Sequence, residues 1–300
     1  MKMRLWAMTL AAMAVLVAAV IPAEAGIQWV GGNDGTQHWG VPGNWHKSRL
    51  PESTDEVNIG STLNLGDAWV LFDASDGTGL TNQCYLGRDY NARLDQSGGT
   101  IDVNMWLAIC GNPDKYGTYN LSEGRLEIDN QADDFSSLVI GSDLKRGNFL
   151  EPAGVVGPGE MNHTGGQIYT RDMCVGTLYD GKYAVAPAGD LDVIDDLILG
   201  DYSTLELLFN SASDLDMTVG NNMTLDGDLV VTGTTPAEVA AAGGVLIATA
   251  NSFSGSFDSI TPGYAVEFRP GGSIGMYLTP EPVSMILLAM GGLFLRRRRS

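Results

Sequence analysis

A glycine closing a short apolar stretch recurs along the middle of this chain, and its spacing limits the available folds more than any other feature. The pairs are Leu86-Gly87, Cys110-Gly111, Ile140-Gly141, Val175-Gly176, Leu199-Gly200 and Val219-Gly220, with glycines 24, 30, 35, 24 and 20 residues apart. Four segments, 94–103, 119–128, 161–170 and 183–193, share a second pattern. Each has an intervening stretch, polar in the first three and Ala- and Pro-rich in the fourth, then a glycine (Gly99, Gly124, Gly166 or Gly189), then alternating apolar residues. Alternation puts Ile101 and Val103 on one face of a strand with Asp102 opposite, and Leu126 and Ile128 on one face with Glu127 opposite.

Units of this size, holding two or three short strands, cannot bury an apolar face alone and must stack on their neighbours. The expected fold is therefore all-β, a parallel β-helix or β-solenoid with degenerate repeats of about 20–35 residues. The alternative is a β-sandwich of many short strands. The glycines suit tight corners, and segments 112–115 and 145–159 read as loops bulging from one of them. One helix is expected. Thr235 can cap it, Pro236 fits its first position, Glu238 completes a capping box, and Gly243 and Gly244 end it.

Three cysteines, Cys84, Cys110 and Cys174, are too few and odd in number for a disulfide framework. Their places close to the glycine anchors point to buried, apolar core positions, with one bridge as the alternative.

Both ends carry targeting features. Lys2 and Arg4 precede an apolar run, 5–20, and Ala23 and Ala25 form a small-residue cleavage site that would leave Gly26 as the first mature residue. At the other end Pro280, Glu281 and Pro282 precede an apolar run, 283–295, and then Arg296, Arg297, Arg298 and Arg299. The 13 residues of that run would rise roughly 20 Å as a helix, against a hydrocarbon core of about 30 Å. The four arginines favour the cytoplasmic side. The chain then divides into a signal peptide (1–25), a Trp-rich N-terminal cap (26–80), repeats (81–232), a C-terminal cap with the short helix (233–278) and a sorting or anchor segment (279–300).

Pro-Glu-Pro, a short apolar segment and a basic cluster, in that order, resemble the PEP-CTERM sorting signal of planctomycete-type and other Gram-negative bacteria. The resemblance covers about 20 of 300 residues. It implies export, signal peptidase and an exosortase-type membrane protease as partners, and transient anchoring by the tail. The cell envelope, cell surface or extracellular matrix would be the destination. The repeats, with the turn-rich stretch 214–260, are similar to the coils of planctomycete surface proteins and autotransporter passengers. No autotransporter barrel follows.

Charge narrows the partners. Of 17 basic residues, Lys2, Arg4 and the four terminal arginines lie in the tails, as do Glu24 and Glu281 of the 36 acidic residues. The remaining 11 basic and 34 acidic residues give a net charge near −23. Such a body repels nucleic acid and anionic lipid, and suits divalent cations or solubility outside the cell.

Chemistry-bearing motifs are sparse. Trp29, Gly31, Gly32, Trp39, Asn44, Trp45, Pro51 and Asp55 form an N-terminal pattern resembling the opening of many large planctomycete and autotransporter-like proteins. Trp29, Trp39 and Trp45 either seal the open end of the stack or meet sugar rings. Asp195-Asp196 and Asp133-Asp134 are the obvious carboxylate pairs for glycoside chemistry, but neighbours on a strand point to opposite faces. His38, His46 and His163 have no catalytic or metal-binding spacing. Residues 31–35 resemble a calcium-binding nonapeptide but do not repeat and lack its full spacing; no cofactor is expected, and Ca2+ on acidic loops is the alternative, with no ligand set. The expected role is a non-enzymatic structural or adhesive surface protein associating with exopolysaccharide. A lyase or glycosidase on the same fold, or a lectin-like module, are the alternatives.

Overall fold

The computed structural model describes residues 26–31, 37–64, 66–109, 114–128, 136–141 and 157–281. The all-β class holds. Three faces are each built from strands paired in parallel, and the chain visits them in a fixed order, here named B, C and A.

Strand Ala92–Ile109 shows the circuit. Leu94 lies on face B, Ile101 on face C and Leu107 on face A, so one long bent strand turns two corners. Inward residues then stack from one circuit to the next. Face A runs Ile27, Val57, Cys84, Leu107, Leu138, Met173, Leu197, Met223 and Phe253. Face B runs Val70, Leu94, Tyr119, Met161, Tyr183, Leu205, Leu229 and Ile260. Face C runs Ile101, Leu126, Ile168, Leu191 and Met217. Almost all of these side chains are fully buried in one continuous core. A strand buried on one face should alternate in just this way, and a slip of one residue would expose the whole row.

Corners depend on glycine where two circuits touch. Gly141 and Gly176 have φ of 56° and 60°. A Cβ on Gly141 would lie 2.3 Å from the Asp180 carbonyl oxygen, and one on Gly176 would lie 2.4 Å from the Ser203 nitrogen. One anchor was misleading. Gly220 follows Val219, which pairs with Val193 on face C, whereas Gly200 follows Leu199 on face A. The spacing of 20 therefore mixes two corners; the true partner of Leu197 is Met223.

Antiparallel pairing, on which a sandwich rests, does not organise the body. Strand Val245–Gly255 pairs antiparallel with Ile274–Pro280, which pairs antiparallel with Tyr264–Arg269. Beside them lies α1 (Pro236–Ala242), capped as expected. Thr235 accepts from the Glu238 nitrogen, Glu238 accepts from the Thr235 nitrogen, and Gly243 is left-handed. Among the described residues no helix is long and apolar enough to cross a membrane.

The core admits a few polar groups, and two clusters of them are closed by hydrogen bonds. Tyr119 donates to Gln96, whose amide donates to the carbonyls of Gly98, Gly99 and Arg125. His163 is fully buried, and its Nδ1 lies 2.9 Å from the Tyr183 hydroxyl and its Nε2 3.0 Å from the Gly166 carbonyl. A carbonyl only accepts, so Nε2 carries the proton and Tyr183 donates to Nδ1. Burial depresses the imidazole pKa to about 4.

Candidate functional site

The three N-terminal tryptophans are core residues. Trp29, Trp39 and Trp45 are 0%, 2% and 1% exposed, which corrects the sugar-contact alternative for them. Trp45 meets Trp29 and Trp39 edge-on at 5.0 and 4.8 Å, and its Nε1 donates to the Trp39 carbonyl. Gly79 leaves room for this cluster, since a Cβ there would lie 3.0 Å from Trp39 Nε1. With no ring face open to solvent, they can seal the stack but not bind a sugar.

The remaining expected residues are dispersed. Gly26 begins the described chain; Ala23 and Ala25 lie outside the described residues. Pro280 ends the last strand opposite Tyr264, and the Glu281 nitrogen donates to the Gly263 carbonyl. Pro282, Arg296, Arg297, Arg298, Arg299, Cys110, Asp133 and Asp134 are outside the described residues. Cys84 is a core residue whose thiol burial raises to about 12. Cys174 is not: Met173 and Val175 point inward, so alternation turns Cys174 to the half-buried outer side. Asp195 pairs with Arg171, and Asp196 accepts from the Asn222 nitrogen on the next circuit. That aspartate pair holds a corner together rather than converging on a site.

His38, Asp73 and Asp76 place ligand-type atoms within 4.8 Å of one another. Both Asp76 oxygens already accept backbone N–H groups, Oδ1 from Gly40 and Oδ2 from Asp73, each at 2.8 Å. Asp73 Oδ1 accepts from the Ser75 nitrogen and hydroxyl, and that bonding lowers its pKa. The cluster thus ties segment 37–40 to the turn at 73–76.

A different feature gathers recognition chemistry. Trp69 alternates with buried Ala68 and Val70 and so points outward on face B, 48% exposed. Trp69, Arg93, Thr118, Glu160, Lys182, Thr204 and Asp228 follow one another along an outward row, one per rung. Beside this row the corner residues Tyr116 and Tyr202 are 36% and 54% exposed. Together they line two adjoining open depressions that share Tyr116. One, of about 440 Å³, lies between Trp69, Asn91, Arg93 and Thr118. The other, of about 300 Å³, lies between Asp180, Lys182, Asp201 and Tyr202.

Polar contacts fix the aromatic rings. Trp69 Nε1 donates to Asp95 Oδ2 at 2.7 Å, and the Arg93 guanidinium lies 5.5 Å from the Trp69 ring centre. Arg93 itself pairs with Asp95. The Tyr116 hydroxyl donates to Glu160 at 3.3 Å, and burial with that carboxylate raises its pKa to about 12. Rungs about 4.8 Å apart put Tyr116 roughly 10 Å along the stack from Trp69, and Tyr202 roughly 14 Å further. The result is a shallow groove with aromatic surfaces at intervals and hydrogen-bonding groups between them. Trp69 lay in the sequence as one tryptophan among four near the N-terminus, and only the alternation of residues 68–72 distinguished it. Tyr116 and Tyr202 had no signal, because a corner residue's exposure depends on the neighbouring circuit.

No protein-family model, curated protein sequence or solved structure matches this chain.

Proposed function

We propose that the closed parallel sheet is a parallel β-helix and that the protein is an exported structural and adhesive component of the cell surface or extracellular matrix. It holds polysaccharide along the face B groove. The observation that carries this is the exposed Trp69–Tyr116–Tyr202 series on an otherwise charged and polar face. Sugar rings present apolar C–H faces and a rim of hydroxyls, which suits aromatic surfaces separated by Asn91, Thr118 and carboxylates. A rigid stack of regular rise also suits a regular polymer better than a small solute.

The tail fits this reading. Pro280 closes the last strand, so cleavage beyond it by an exosortase-type protease would leave the folded body intact. Mass spectrometry of the cell-surface form should find a C-terminus shortly after Glu281 and no terminal arginines; an intact tail would overturn the sorting part.

The binding part is tested on glycan arrays with the wild-type protein and Trp69→Ala. Trp69 is half-exposed, so its removal, with loss of the bond to Asp95, should cost only about 1 kcal/mol of stability. It should weaken polysaccharide binding roughly tenfold, or about 1.4 kcal/mol. Equal binding by both proteins would place the site elsewhere. Release of reducing ends or unsaturated uronates would show that adhesion is not the whole activity.

A further inference from the structure

We infer that the groove selects amine-bearing polysaccharides, polymers of hexosamines with free amino groups, over neutral and uronic acid polymers. This rests on the groove being the polysaccharide site proposed above.

Charge accounting on the face points this way. Its two cations are already occupied. Arg93 Nε lies 2.8 Å from Asp95, and Lys182 Nζ lies 3.1 Å from Glu160 and 2.6 Å from Glu206. Asp67, Asp180, Asp201 and Asp228 also line the two depressions, and no basic side chain among the described residues pairs with them. Among the described residues the groove therefore offers carboxylates without a cationic partner and no unpaired cation. A uronate chain would add like charge to these carboxylates, whereas an ammonium group would meet them.

Placement supports the same occupant. Asp180 adjoins Gly181, Gly181 pairs with Ser203 beyond Asp201, and Thr204 pairs with Asp228. Carboxylates thus occur on three successive rungs but staggered along the strands: Asp180 and Asp201 lie before the Gly181–Ser203 pairing and Asp228 after it. An extended hexosamine polymer carries one ammonium per sugar, so it brings several cations to this acidic stretch. The Asp226 carboxyl beside Asp201 raises the Asp201 pKa, so negative charge is crowded here and a cation would relieve it. Tyr202 stands next to Asp201 in the same depression, giving one sugar ring an apolar surface beside a site for an amine.

The test compares three oligosaccharide probes of equal length by calorimetry: glucosamine, N-acetylglucosamine and galacturonate oligomers. The glucosamine oligomer should bind about tenfold more tightly than its acetylated counterpart at low ionic strength, the gap narrowing as salt screens it. The galacturonate oligomer should bind more weakly than either. The isosteric triple variant Asp180→Asn, Asp201→Asn, Asp228→Asn should bind glucosamine and N-acetylglucosamine oligomers equally, while keeping wild-type thermal stability. Equal or tighter binding of the acetylated or uronate probe by the wild type, lost in Trp69→Ala, would overturn the charge selectivity and leave the groove standing. Absence of binding by all three probes would overturn the groove itself. A lysine-rich peptide that displaces the glucosamine oligomer and binds more tightly would make the occupant a basic polypeptide and overturn the inference.

Discussion

The two ends of the stack solve one problem with different chemistry. Each must cover a row of apolar residues and keep strand edges from pairing with another chain. The N-terminal end is closed by side chains. Trp29, Trp39 and Trp45 interlock edge-on, Trp39 reaches Phe72 at 5.8 Å, and Pro42–Asn44 between Trp39 and Trp45 form a 3-10 helix. The C-terminal end is closed by backbone. Val245–Gly255, Ile274–Pro280 and Tyr264–Arg269 turn parallel pairing into antiparallel, and α1 lies beside them. An aromatic plug concentrates its stabilisation in a few residues; a sheet and a capped helix spread it over many hydrogen bonds. The first should be brittle to single substitutions and the second tolerant.

Trp39→Ala is the strongest way to break that comparison. The ring is 2% exposed and contacts both Trp45 and Phe72, so its loss leaves a large cavity. Truncations of this kind cost about 3–5 kcal/mol. Denaturant unfolding should show that loss, and hydrogen exchange should locate the new opening in residues 26–80. A cost below about 1 kcal/mol would mean that the plug is not where this end's stability lies.

His163 sits between the ends and tests whether they share one core. It is neutral when folded, with a pKa near 4, against about 6.5 unfolded. The unfolded chain therefore takes up a proton first as pH falls. The stabilisation is present above pH 6.5 and is lost toward pH 4, by about 3 kcal/mol. Asp102 and Asp192 act with opposite sign, because burial first, then neighbouring carboxylates, raise their pKa values. His163→Leu should flatten the pH 4–6.5 segment of the stability curve. Hydrogen exchange at pH 5 should quicken at both ends together if the core is a single cooperative unit.

How much of this was legible in sequence differs between ends and middle. Ile101, Val103, Leu126 and Ile128 were readable because alternation is local and every circuit repeats it. The helix was readable because Thr235, Pro236, Glu238 and Gly243 are a local code. Gly220 and Cys174 misled because an aliphatic–glycine step marks more than one corner, and because one residue of shift turns a side chain outward. Trp69, Tyr116 and Tyr202 were hardest. Whether an aromatic residue is plug or platform is decided by which circuit it faces, and within a short window only the alternation of residues 68–72 separates Trp69 from Trp39.

A smaller effect should come from Asp55, which forms a doubly bonded ion pair with Arg49 within the N-terminal closure. Arg49 donates to both of its oxygens at 2.6 and 2.7 Å, and the Glu52 nitrogen adds a third bond. The Arg49 guanidinium first, then that backbone bond, hold its carboxyl below the usual range against the opposing effect of burial. Stability from this group is present above the unfolded pKa near 4 and falls away as pH drops through the lower folded value. Asp55→Asn should cost about 1–3 kcal/mol at pH 7 and much less at pH 2, in contrast to Trp39→Ala, whose cost should not vary with pH.

Thr235→Ala should have the smallest effect, and it sharpens the contrast between the ends. The side chain accepts from the Glu238 nitrogen at 3.3 Å, while the Glu238 carboxylate accepts from the Thr235 nitrogen at 2.8 Å. Removing the hydroxyl breaks one half of this box and leaves the other, so the expected cost is about 1 kcal/mol, within the range for a lost N-cap. Val239 of α1 stays fully buried and Gly243 still ends the helix, so the helix should persist. Thermal unfolding should show a small, uniform shift, with exchange quickened only in the first turn of α1. A loss as large as that of Trp39→Ala, or exchange spreading into Ile274–Pro280, would mean that the helix rather than the antiparallel sheet closes this end, and that both ends rest on a few side chains.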